Sequence, residues 1–73
     1  MVPITTRALV QRINRALAED DEVLKAPRGE KALQELGQYY VLDFNRNAVT
    51  RKDVDIEELG RSLGVLKAFE KLV

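Results

Sequence analysis

Between Gln38 and Gly64 the hydrophobic pattern changes period along the chain. Tyr39 to Phe44 and Ala48 to Val54 are rich in β-branched and aromatic residues, which predicts two strands of a hairpin at 39–54 with Asn45-Arg46-Asn47 as the tight turn. Asparagine tolerates left-handed backbone, so Asn47 is expected as the bulge residue after a type I turn. The second strand runs directly into a helix at 56–63. Asp55 is its N-cap, Glu58 three residues on completes a capping box, and Val54 staples against Leu59. Gly64 closes the helix. Ile56, Leu59 and Leu63 form its apolar side. Gly60 beside them costs about 1 kcal/mol against alanine, which implies close approach of a strand or another helix.

Ile4 to Ala18 follows a helical period and is capped by Thr5 or Thr6. Leu9, Val10, Ile13, Ala16 and Leu17 form one stripe. Arg7, Gln11, Asn14 and Arg15 gather on the opposite side, with Arg12 at the flank. The acidic run Glu19-Asp20-Asp21-Glu22 follows at the end where the helix dipole disfavours negative charge, so it is assigned to the exit turn. Glu22 to Ala26 reads as a short first strand with Val23, and either Ala26 or Leu24, facing inward, and Pro27 stops it or confines it to an edge. Glu30 to Leu36 reads as one or two helical turns ended by Gly37, with Ala32, Leu33 and Leu36 on one side. In the first hairpin strand Tyr40, Leu42 and Phe44 point one way, and Tyr39, Val41 and Asp43 the other. Both sides are substantially apolar, so the strand is covered on both faces, or on one face with a partner on the other. Thr50, Arg51 and Lys52 read as solvated. The tail places Val65, Leu66, Phe69 and Leu72 too densely for free solution and is expected to dock back on the sheet.

These elements make an α+β domain spanning 1–73: an N-terminal helix, a small antiparallel sheet of two or three strands, a capped helix and a docked C-terminal tail. Seventy-three residues, 45% hydrophobic and 33% charged, allow one small core and no second one. A domain of this length buries only about 60% of its unfolded surface. With no cysteine for a disulfide and no histidine for an ordinary zinc site, self-association is the expected stabiliser. Twelve cations balance twelve anions, which removes any global attraction to nucleic acid or an anionic membrane. No apolar run approaches the roughly 18 residues of a membrane span, and the first residues lack the pattern of a signal peptide. A cytoplasmic location is the expectation.

Catalytic chemistry finds little material. The single serine, Ser62, lies inside a predicted surface helix, and Glu57 and Glu58 are helix neighbours that do not converge. The four glycines never cluster into a phosphate loop. The acidic run at Glu19 lacks the ligand spacing and turn glycine of a calcium loop. No catalytic, cofactor or metal residue is expected, and no small-molecule substrate. Two binding functions stay open. The first is a non-enzymatic accessory or regulatory protein acting through a protein–protein interface, as a homodimer or with another protein, using Tyr39, Val41, the sheet edge, Phe69 and Leu72. The second is a small nucleic-acid-binding factor. It would use Arg7, Gln11 and Arg15 on the helix, Arg46 at the hairpin tip, and Arg51 and Lys52 along the second strand.

The run Leu36-Gly37-Gln38-Tyr39-Tyr40-Val41-Leu42-Asp43, with Arg46-Asn47-Ala48-Val49 and Val54 to Leu66, resembles a group of short bacterial hypothetical proteins. Thr5-Thr6-Arg7-Ala8-Leu9 and Ile13-Asn14-Arg15 are similar too. The resemblance implies a bacterial or mobile-element origin. The group has no assigned activity, so it implies no functional residue.

Overall fold

Thr5 sits in extended backbone and its Oγ1 accepts the Ala8 N–H at 3.1 Å, which starts helix α1 (Thr6–Leu17). Ile4 precedes this cap and belongs to a short strand, β1 (Val2–Ile4), instead of to the helix. The computed structural model describes residues 1–73. After α1 the acidic residues form a 3-10 turn (Ala18–Asp20) that ends at Asp21 in left-handed backbone, φ 58°. Glu19, Asp20 and Asp21 therefore lie in the exit turn and Glu22 opens the next strand, so none belongs to the last turn of α1. Strand β2 (Glu22–Lys25), helix α2 (Glu30–Leu36), strands β3 (Tyr40–Asp43) and β4 (Ala48–Arg51), helix α3 (Ile56–Ser62) and strand β5 (Glu70–Leu72) complete the order.

β2, β3 and β4 form one antiparallel sheet with β3 central. The turn from β3 to β4 is built as its residues require. Asp43 Oδ1 accepts the backbone N–H groups of Asn45 and Arg46, and Asn47 adopts φ 53°. Asn45 Nδ2 also donates to Asp21 Oδ2 at 2.6 Å, tying the hairpin tip to the exit turn of α1. In β4 the register slips by one residue at Thr50, a bulge whose Oγ1 donates to Glu22 Oε2 at 2.9 Å.

α3 begins at Asp55, whose Oδ1 accepts from Glu57 N at 3.0 Å and Glu58 N at 3.2 Å. The reciprocal bond from Glu58 back to Asp55 is not formed, so only half of the expected capping box exists. The helix ends in a Schellman turn: Gly64 at φ 74° donates to Arg61 O, and Val65 donates to Gly60 O at 2.9 Å. Gly60 is the point of close approach. A Cβ built there would lie 2.9 Å from Leu9 Cδ1 and 3.3 Å from Leu66 Cβ, so the helix on the other side is α1.

The core consists of Leu9, Ile13 and Leu17 of α1, Leu24 of β2, Val41 of β3, Ile56 and Leu59 of α3, Ile4 and Leu66. α1 lies against β2 and α3, and the sheet turns Leu24 and Val41 toward it. In β2 it is Leu24, not Val23 or Ala26, that faces the interior, because Leu24 pairs with Val41 and shares its side of the sheet. The tail does not dock on the three-stranded sheet. It pairs in parallel with β1, Val2 opposite Glu70 and Ile4 opposite Leu72, and packs Leu66 against the helices.

Candidate interaction surfaces

The two sides of the sheet have different fates. Leu24 and Val41 point at α1. On the reverse side Val23, Leu42 and Val49 are register partners, forming an apolar row that crosses all three strands. Val23 and Leu42 are half-buried, and Val49 is 45% exposed. Tyr40 flanks the row on the same side by strand alternation, and Phe44 follows at the strand end, 52% exposed. Both faces of β3 are apolar, but only the Val41 face is fully covered by the chain itself.

α2 stands at the margin of this reverse face. Leu36 shares one shallow hollow with Tyr40, Pro27 and Ala32, and another with Val49 and Arg51. None of its side chains is buried, and Leu33 is 47% exposed. The apolar side expected of this helix is real, yet it caps no core.

Every strand edge is guarded. The Leu24 N–H, on the outer edge of β2, donates to Asn14 Oδ1 of α1 at 2.7 Å. β4 carries the Thr50 bulge and ends in Arg51, with Lys52 next to it, devices that discourage pairing with another chain. In β1 the backbone groups of Val2 and Ile4 bond to the tail, so Pro3, which has no N–H, occupies the outer edge. On the outer side of β5, Arg61 Nη2 donates to the Glu70 carbonyl at 3.2 Å.

The residues expected to form a protein interface do not share one surface. Val41 is fully buried at 0% exposure, so its nomination is corrected: the parity of β3 turns it into the core and turns Leu42 out. Tyr39 precedes β3, packs against the core and shares a shallow cleft with Leu72, Thr6 and Ile56. Phe69 is 62% exposed just before β5. Thus the structure brings Tyr39 and Leu72 together and leaves Phe69 apart.

The expected nucleic-acid contacts also divide. Arg7, Gln11 and Arg15 are all exposed and follow one another at every fourth position of α1. Arg46 projects from the hairpin tip, its Nε 4.0 Å from Asp43 Oδ2. Arg51 and Lys52 line a hollow between β4 and α3 that also holds Asp55 and Glu58. The hairpin cations are therefore matched by neighbouring carboxylates, whereas in the α1 series only Arg15 has carboxylates nearby, Glu19 and Glu70, with which it shares a hollow.

One charged residue escaped the sequence reading altogether. Glu70 is 6% exposed, and Arg12 Nη1 donates to both of its carboxylate oxygens at 2.9 Å. The Lys67 backbone N–H donates to Oε1, also at 2.9 Å. That backbone bond, and then Arg12, hold the Glu70 carboxyl below its usual range against the opposing effect of burial. Arg12 further donates to the Val65 carbonyl at 3.0 Å. No group of three or more His, Cys, Asp or Glu side chains converges to hold a metal ion, and no helix is long and apolar enough to cross a membrane.

No family model matches the chain, and neither the curated proteins nor the solved structures compared with it yield a match.

Proposed function

We propose that this protein is a non-enzymatic interaction module that self-associates through the reverse face of its three-stranded sheet. The observation that carries the reading is the Val23–Leu42–Val49 row, flanked by Tyr40 and Phe44, apolar across three strands and only partly covered, from its margin, by α2. A second copy is the occupant for three reasons. Nine buried apolar residues make a small core for 73 residues, and stacking two sheets would double the apolar layer. With 12 cations and 12 anions, two copies approach without net repulsion. The guarded edges disfavour strand addition and leave face-to-face packing, at about 10 Å between sheets, as the open geometry.

Sedimentation velocity over a concentration series tests this. The wild-type chain is expected to shift from monomer to dimer, and Val49→Glu or Leu42→Lys to hold it monomeric at every concentration. A wild-type chain that stays monomeric at the highest concentration would overturn the reading.

A further inference from the structure

The net charge of zero conceals a segregation of charge. α1 contains no acidic residue, and its outer face presents Arg7, Gln11 and Arg15 at successive turns. From Arg7 to Arg15 the series spans about 12 Å at the helical rise per residue, the reach of several successive phosphates. Within the helix the i+4 positions after Arg7 and Gln11 hold glutamine and arginine in place of carboxylates, and the first carboxylate at that spacing is Glu19, four residues after Arg15 in the exit turn.

The tail extends this face. Arg12, Arg15 and Lys67 line a shallow hollow of about 530 Å³ together with Glu19 and Glu70. Glu70 is spoken for: its oxygens accept from Arg12 and from the Lys67 backbone. Arg61 adds a fourth cation, donating to the carbonyls of Lys67 and Glu70 at 3.2 Å each. The hollow itself thus holds three cations against two carboxylates, one of them buried and already paired, and keeps a positive excess to which Arg61 adds from α3. The hairpin differs in having no excess, because Arg46, Arg51 and Lys52 sit beside Asp43, Asp55 and Glu58.

We propose that the outer face of α1 and the adjoining tail bind the phosphate backbone of duplex nucleic acid without reading its sequence. Arg7, Gln11, Arg15 and Lys67 make the contacts, and Glu70 positions Arg12 and the tail beside them. Guanidinium and amide groups suit phosphate oxygens, and a backbone contact needs only cations at regular spacing. α1 lies on the core side of the sheet, so this surface faces away from the Val23–Leu42–Val49 row. A dimer built on that row would leave both basic faces free.

Fluorescence anisotropy with two short labelled DNA duplexes of unrelated sequence tests the proposal on the full chain. Binding is expected to weaken as salt rises, with a slope of log affinity on log salt of roughly −2 to −3 for about three phosphate contacts. Joint reversal of Arg7, Arg15 and Lys67 to glutamate should lower affinity at least about tenfold, while Arg46→Glu with Arg51→Glu changes it by less than about twofold. Neutral substitutions Arg15→Gln and Lys67→Gln should give an intermediate loss, and circular dichroism should show all variants folded. Failure of the wild-type chain to bind either duplex at low salt would overturn the proposal. So would an equal loss from the hairpin reversal, a strong preference for one duplex, or binding to anionic lipid vesicles in place of DNA.

Discussion

Arg12 and Glu70 lie 58 positions apart, and Arg12 Nη1 nevertheless stands 2.9 Å from both carboxylate oxygens of Glu70. This pair fastens the last strand to the first helix. The tail carries few apolar anchors of its own, since Phe69 and Val73 are exposed and only Leu66 is deeply buried. Position in the tail therefore depends on the polar contacts around Glu70 as well as on the β1 pairing.

The first prediction concerns acid. Because the folded state holds the Glu70 carboxyl below its usual range, through the Lys67 N–H and then Arg12, Glu70 contributes stability above its unfolded pKa. That contribution is lost as pH falls through the depressed folded value. The charged groups around it are Arg12 and Arg15 from α1, Glu19 from the exit turn, Lys67 from the tail and Arg61 from α3, which reaches the Glu70 carbonyl. Thermal unfolding followed from neutral pH downward should show Glu70→Gln less stable than wild type at neutral pH. The gap should narrow once both carry a neutral side chain at position 70. A gap independent of pH would remove the ionised pair as the cause.

The second prediction concerns the edge of β2. Asn14→Ala leaves the Leu24 N–H without its 2.7 Å partner on a residue that is only 5% exposed. An unsatisfied buried donor costs about 1–3 kcal/mol, so chemical denaturation should show a loss in that range. Hydrogen exchange should show the Leu24 amide accelerated more than its neighbours in β2. Asn14→Asp should retain most of the stability, because its carboxylate can still accept.

How far the chain could be read follows from which interactions are local. The Asp55 cap, left-handed Asn47 and the Gly64 terminator depend on residues within five positions of one another and the hairpin on pairs no more than ten apart, and all appear where the pattern places them. β1 is three residues long, contains a proline, and pairs with a strand 68 positions away, so no local period announces it. Asn14 and Arg12 look like ordinary members of a polar helix face until a distant partner is known. The misplacement of Val41 has a different source. Alternation divides Tyr39, Val41 and Asp43 from Tyr40, Leu42 and Phe44 correctly, but both sets are apolar, and parity alone does not say which side the first helix covers.

The third prediction exploits that division. Val41→Ala removes buried methyl groups from a fully enclosed site and should cost about 2 kcal/mol, the transfer loss plus a cavity contribution. Val49→Ala, at a site 45% exposed on the other side of the same sheet, should cost less than about 0.5 kcal/mol in the monomer. Association should respond in the reverse order, with Val49→Ala weakening the dimer and Val41→Ala acting only through folding. Urea melts at concentrations below and above the self-association range separate the two effects.

The last prediction weighs two opposing effects at Gly60. Alanine is the better helix former by about 1 kcal/mol, so the change would stabilise an exposed helix. Here a Cβ would meet Leu9 Cδ1 at 2.9 Å and Leu66 Cβ at 3.3 Å, and Leu9 is at 0% exposure with no open space to rotate into. Overpacking of this kind costs about 1–3 kcal/mol and exceeds the propensity gain, so Gly60→Ala should destabilise by up to about 2 kcal/mol. The cause is checked by a double-mutant cycle. Leu9→Val removes the methyl-bearing reach toward Gly60 at its own cost, and in that background Gly60→Ala should become neutral or stabilising. Simple additivity of the two changes would mean that the α1–α3 approach is not what keeps position 60 a glycine.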